Sequence, residues 1–267
     1  MTPLFDAHNH LHDARLAPHL EVIVSAMREA GIERCVVNGT SQDDWPQVAD
    51  LAKRFPGFVQ PSFGLHPWKL AARGSNWLTT LRGHLDNFPH SGLGECGLDR
   101  WIQHPNFAAQ EDVFLTQLAL ATERNLPLSI HCLQAWGPLL TCLRGNPRPA
   151  RGFLLHSFGG SAELVTELAP LGAYFSFSGQ FLHSRKEIVR AAFRKIPADR
   201  LLLETDAPHM LPPAPHRTHP LADSEGIPLN HPANLGALLN GLAETRDCGG
   251  DALAAILADN FKNFFGS

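Results

Sequence analysis

Residues 4–13, LFDAHNHLHD, set Asp6, His8 and His10 at alternate positions behind a short apolar start. Alternate side chains of an extended strand point to one face, so these three could converge on a single ion. Further ligand-type side chains follow: Glu95 in GLGECGLD, His131 in PLSIH, His156 in LLHSFGG, and Glu204 and Asp206 in ETDAP. With 15 histidines in the chain, one alone carries little information. An H-x-H pair can be a solvated histidine beside a hydrogen-bonded one, and His131 and His156, flanked by apolar residues, could be satisfied core histidines. Glu95 could anchor a glycine-rich turn, and Asp206 a turn before Pro208. Their common placement at the ends of short apolar runs favours a metal site over packing. The set His8, His10, Glu95, His131, His156 and Asp206 mixes imidazoles with carboxylates, which suits Zn²⁺ or Mn²⁺ better than an all-oxygen cage. Six such groups suffice for two ions. A glutamate from the middle of the set could bridge them, and ions roughly 3.5–4 Å apart can activate water and stabilise a departing oxygen.

Such groups need a scaffold that brings strand ends together. Short apolar runs at 4–10, 34–40, 58–65, 91–97, 127–132, 152–158, 173–179 and 201–206 read as strands. Between and after them, segments such as 19–30, 107–125 and 184–195, then 233–246 and 251–264, carry helical patterns. Strict alternation favours a parallel sheet, and eight units predict an α/β fold, a (β/α)8 TIM barrel with C-terminal helices. Active sites of such barrels form at the C-terminal edge of the strands, where these ligand-type residues fall. No G-x-G-x-x-G follows the first strand and there is no Walker-type phosphate loop. No low-complexity linker divides the chain, so residues 1–267 are expected to form one domain, with 207–232 a long loop over the active face.

Hydrophobic residues make up 44% of the 267 and charged residues 18%, enough apolar content for a large core. A net charge of −4 argues against a broad basic surface for duplex nucleic acid, though a local cation site could still attract phosphate. The five cysteines, Cys35, Cys96, Cys132, Cys142 and Cys248, form no C-x-x-C pair, which predicts reduced thiols and a cytoplasmic protein. No membrane span is evident, and a monomer is the default for a self-contained barrel.

The motifs, taken in order, resemble the TatD family of metal-dependent deoxyribonucleases, within the amidohydrolase-like barrel hydrolases. DAHNH, GLHP at 64–67, GLGECGLD, PLSIH, LLHSFGG, ETDAP and NFKNFF at 260–265 carry the resemblance nearly from end to end. It implies two divalent ions (Zn, Mn or Mg): His8, His10, Glu95 and Asp206 around one, Glu95, His131 and His156 around the other. It makes Asp206 the base for the attacking water and Glu95 the bridge. His66 would contact the phosphate, and Glu204 and Asp6 would support the ligands. The implied reaction is hydrolysis of phosphodiesters at DNA ends or in short single-stranded DNA, of the 3′-5′ exonuclease type. Trp68, Trp101 and Trp136 follow the third, fourth and fifth strands and could stack bases or pack beneath loops.

Two positions depart from the family pattern: Leu133 stands where an arginine is expected, and LNHPAN puts His231 in a segment that is often R-N-x-P. Leucine cannot hold a phosphate bidentately. Substrate identity is therefore open, and hydrolysis of a small amide, cyclic amide or ester is the alternative. A catalytically silent metal-binding protein is a further one. Related barrels often bridge their metals with a carboxylated lysine; no lysine lies in the fourth- or fifth-strand motif, which favours the nuclease reading.

Overall fold

A computed structural model of the chain describes residues 2–103 and 106–266. Eight strands pair in sequence order, each parallel to the next: β1 (Leu4–Asn9), β2 (Ile32–Asn38), β3 (Val59–Phe63), β4 (Gly92–Asp99), β5 (Leu128–Leu133), β6 (Phe153–Leu155), β7 (Ala173–Phe177) and β8 (Leu201–Leu203). The crossovers carry α1 (Leu20–Glu29), α2 (Trp45–Arg54), α3 (Trp77–Asn87), α4 (Phe107–Arg124), α5 (Trp136–Gly145), α6 (Ala162–Leu168) and α7 (Glu187–Phe193). After β8 come α8 (Leu235–Arg246) and α9 (Gly250–Phe265). This is the barrel that the alternation of strand and helix patterns predicts. Among the described residues, no helix is long and apolar enough to cross a membrane.

Two layers of apolar packing hold the barrel. Helix α1 buries Leu20, Ile23, Val24 and Met27, one stripe at helical spacing, in a cluster that includes Cys35 and Val37 of β2. The second layer is smaller. Phe5, Val36, Leu154, Tyr174 and Leu202, from five strands, pack with Phe261, Phe264 and Phe265 of α9, so this helix lies across the N-terminal end of the barrel. Its last carbonyls are held there: Arg151 donates to Phe264 O, Gln60 to Phe265 O and Arg34 to Gly266 O.

Strands β6 and β8 have three residues each, shorter than the apolar runs predict. Past them the chain leaves the ladder so that His156 and Asp206 can turn inward, and Asp206 adopts a left-handed backbone with φ of 51°. Residues 207–232 are also more ordered than a plain loop, because β9 (Pro220–Ala222) and β10 (Pro228–Asn230) form an antiparallel hairpin. Its three-residue strands are too short to register as a periodic pattern. The helix expected at 184–195 contracts to α7 behind a 3₁₀ turn.

The barrel closes between β8 and β1 through bonds at the catalytic edge. Asp206 N donates to His8 O at 2.9 Å and His10 N to Ala207 O at 2.7 Å. Asp6 adds a side-chain clasp, accepting from Thr205 N at 2.9 Å, Thr205 Oγ1 at 2.6 Å and Asn9 Nδ2 at 3.0 Å. The register of β1 on β2 shifts between Asp6 and Asn9, so strict alternation does not run through the motif. Asp6 therefore secures the strand seam and does not join the histidines. Burial pushes its carboxyl up to about 7 against the pull of the Thr205 and Asn9 donors.

On the opposite side, Gly97 pairs with His131 across β4 and β5. A Cβ there would stand 1.9 Å from His131 O, at a φ of 148° that disfavours any side chain. Gly97→Ala must separate the strands or strain them, and a strained backbone typically costs about 1–3 kcal/mol before the clash is counted. We expect its urea midpoint to fall correspondingly, together with divalent-ion affinity, because His131 moves; an unchanged midpoint would contradict the close approach.

Candidate metal centre

Glu95, on β4, is buried at the middle of the catalytic edge. Its Oε2 lies 3.5 Å from His8 Nε2 and 3.5 Å from His10 Nε2, and Asp206 Oδ1 lies 3.8 and 3.3 Å from those same nitrogens. Its Oε1 lies 2.8 Å from His156 Nε2, 3.2 Å from His131 Nδ1 and 3.2 Å from His66 Nε2. One carboxylate thus faces two groups of imidazoles, one on each oxygen.

The first group has the dimensions of a coordination shell. With ligand bonds of about 2.1 Å, the donors of a tetrahedral site stand about 3.4 Å apart, and the distances above bracket that value. Two donors, His8 Nε2 and Asp206 Oδ1, are buried with no hydrogen-bond partner among the described residues. Unpartnered buried polar atoms are costly unless something else satisfies them, and a cation would satisfy both. His10 Nδ1 lies 2.8 Å from Asn38 O and His8 Nδ1 3.1 Å from Ser129 Oγ. Donation from each Nδ1 leaves the Nε2 lone pair facing the site, the tautomer that a ligand requires.

In the second group His131 turns its Nε2 to Asp99 Oδ2 at 2.8 Å and its Nδ1 to Glu95. Asp99 is the residue that sequence reasoning missed. It lies four positions after Glu95 on the same strand, inside the quoted GLGECGLD motif, so alternation could have found it. His156 Nδ1 stands 3.6 Å from Glu204 Oε1, an electrostatic contact beyond hydrogen-bonding distance. Glu204 is itself fixed by Ser157 N at 2.8 Å, Ser157 Oγ at 2.6 Å and the Ser176 hydroxyl.

His66 enters this cluster more closely than a loop residue outside the ligand set would. Its Nδ1 accepts from Trp68 N at 3.1 Å, so the proton of the neutral ring sits on Nε2 and points at Glu95. Burial pushes His66 down to about 4, which Glu95 only partly opposes. His66 is thus a neutral hydrogen-bond donor with no lone pair free for an ion.

The two departures from the family pattern separate here. Leu133 is exposed at the end of β5. His231 is buried, accepts from Ala233 N at 3.0 Å and packs against His219; it starts the 3₁₀ turn Pro232–Asn234. Trp136 packs edge-on against Phe158, whereas Trp68 and Trp101 are open to solvent. The cysteines are free thiols.

Charge is divided unevenly. Burial alone would raise Glu95, but His156 and His66 pull it well below the usual carboxylate range. Burial likewise opposes ionisation of Asp206, and His10 overcomes it. Against its own burial, His10 is raised to about 9 by Asp206 and Glu95, and His156 well above its ordinary value by Glu95 and Glu204. His8, stacked 4.0 Å from His156, is lowered by burial and by that neighbour.

This division moves the expected pH window for ion binding. Unperturbed histidines would lose the ion below roughly 6.5. His10 in the metal-free protein instead holds its proton to about 9, and a cation must displace it. Affinity for Zn²⁺ should therefore keep rising from pH 6.5 toward 9, about tenfold per unit for each proton displaced. Calorimetry at pH 7 in buffers of different ionisation enthalpy should register proton release; no release would contradict this charge arrangement.

Comparison with known proteins identifies the family. A profile of the family described as "TatD related DNase" matches residues 5–266. A protein named 3'-5' ssDNA/RNA exonuclease TatD from Erwinia amylovora is 33% identical over 268 residues, covering 98% of this chain and 100% of that protein. An uncharacterized metal-dependent hydrolase, YabD of Bacillus subtilis, is 29% identical over 98% of both chains. The crystal structure of YJJV, a TatD homolog from Escherichia coli, superimposes with a TM-score of 0.89 at 26% identity, covering 99% of this chain and 98% of that one. The chain belongs to the TatD related DNase family and is a metal-dependent hydrolase.

Proposed function

We propose that the site holds two divalent ions, Zn²⁺, Mn²⁺ or Mg²⁺, bridged by Glu95, and hydrolyses phosphodiester bonds at the 3′ ends of single-stranded DNA or RNA. The observation that carries this reading is the placement of the two Glu95 oxygens, each against a different set of imidazoles. His8, His10 and Asp206 would complete one ion site, and His131 and His156 the other. The substrate class comes from the relatives named as ssDNA/RNA exonucleases. Cytoplasmic location and a monomeric state belong to the same proposal.

Ions bound there would acidify a water and neutralise charge on the phosphoryl group. The chain's own residues would do the rest. Asp206, held ionised beside His10, orients the attacking water and accepts its proton. His66 turns its Nε2–H from Glu95 to a phosphoryl oxygen, a neutral donor that needs no proton uptake. Asp99, Ser129 and the Asn38 carbonyl fix His131, His8 and His10 in the tautomers that leave a lone pair toward the site. Glu204 supports His156 electrostatically and Asp6 holds the seam from which His8 and His10 project.

Two substitutions test this division of labour. Glu95→Ala should lose at least one ion by elemental analysis and lower hydrolysis of a single-stranded oligonucleotide by about 100-fold or more. Unchanged metal content and rate would exclude the bridge. His66→Ala should keep its metal content yet lower kcat by about 100- to 1000-fold, as loss of one oriented donor does; loss of an ion would make His66 a ligand instead.

A further inference from the structure

Beside the metal centre stand exposed apolar side chains, called here the shelf. Trp68 is 56% exposed, Trp101 66% and Leu133 38%; they are three of the seven large hydrophobic side chains open to solvent among the described residues. They follow or end three neighbouring strands, β3, β4 and β5. Asp99 links them, through its carboxylate for the two tryptophans and through the ladder for Leu133. Asp99 Oδ2 accepts the Trp68 indole N–H at 2.7 Å, and Asp99 Oδ1 accepts Trp101 N at 2.6 Å. Leu133 pairs with Asp99 across the ladder, and its carbonyl accepts Arg100 N at 3.0 Å.

Exposed tryptophan is unfavourable in water, and a polar tip anchored inside with a wet aromatic face is the arrangement that suits a planar ligand. The shelf is continuous with the metal centre. The Trp68 ring lies 5.2 Å from that of His66 and 6.1 Å from that of His131, edge to face. We infer that Trp68, flanked by Leu133 and Trp101, stacks the base of the terminal nucleotide whose phosphodiester is cut, so that the shelf recognises an unpaired base as a planar apolar object. This rests on the phosphodiesterase reading and adds the element that binds the strand.

The chemistry of the shelf sets the kind of recognition. Leu133 and the two aromatic faces are apolar, and the Trp68 N–H is already given to Asp99. Stacking of this kind tolerates every base and requires that the base be unpaired. A base paired in a duplex is stacked between its neighbours and cannot reach the shelf without leaving them. Leucine at position 133 also fits, since it extends the apolar surface and leaves phosphate charge to the metal centre. Because the Asp99 oxygen that holds Trp68 also holds His131, Trp68 has a second role as a positioning residue for the ligand side chain.

The two roles separate by substitution and by substrate. Removal of the last nucleotide is compared between a single-stranded oligonucleotide with an ordinary 3′ terminus and one whose terminal nucleotide is abasic. The metal-loaded protein should cut the base-bearing strand with a kcat/KM about tenfold or more above the abasic one. Trp68→Ala should bring that ratio close to one, Leu133→Ser should lower it, and Trp68→Phe should keep it while slowing both substrates together, since the ring remains and the bond to Asp99 is lost. Far-ultraviolet circular dichroism and metal content check that each variant is folded and loaded. A ratio near one in the wild type, or one that survives in Trp68→Ala, overturns the stacking proposal and leaves the phosphodiesterase reading intact. If neither strand is cut, both fall together.

Discussion

The interaction on which the rest depends is the burial of the Glu95 carboxylate among imidazoles. An ionised carboxylate taken out of water costs several kcal/mol unless charges and donors replace its hydration. Here His8, His10, His66, His131 and His156 surround both oxygens. That arrangement keeps Glu95 ionised and raises His10 and His156 in return. Without an ion the cluster is stabilised by protons; with ions the same nitrogens can serve as ligands. The site is thus organised to exchange one kind of positive charge for another.

Convergence on one carboxylate makes demands on the backbone. Glu95 is in the middle of β4, whereas the histidines come from β1, β5 and the segments after β3 and β6. Only a curled sheet can bring these together, and the closing seam must be firm at the edge where His8 and His10 project. Asp6 and Thr205 supply that firmness where the regular ladder gives way. At the other end of the barrel, α9 covers the apolar interior with phenylalanines. The ligand-type side chains gather at one mouth, and phenylalanines close the other.

Around the mouth, the support is carboxylate on one side and aromatic on the same side. Asp99 is shared between His131 and Trp68, which makes the outer surface and the ligand shell one hydrogen-bonded unit. In the proposed reading, such sharing lets a chain of net charge −4 act on nucleic-acid ends. Affinity would come from ions and stacking at one point and not from a long track of phosphate contacts.

Much of this was legible in the chain itself. Strand and helix periods gave the barrel, because each element must bury one face, and the ligand-type residues at strand ends marked the catalytic edge. Side-chain order along the chain was enough to bring His8, His10, Glu95, His131, His156 and Asp206 to one place, since barrel topology sends every such end to the same mouth. Asp6 reads in the sequence as support for the ligands, but that it acts by clasping Thr205 across the seam depends on β8 arriving beside β1. Alternation from Glu95 marks Asp99 as a position on the same strand face, but the partner it serves, His131, is brought alongside only by β5. The tautomer of His66, the structural duty of His231 and the joining of Trp68 to the ligand shell were likewise decided by tertiary contacts. Residue type sets what a side chain can do, but which proton it holds and which neighbour it serves depend on groups that only folding brings within a few ångströms.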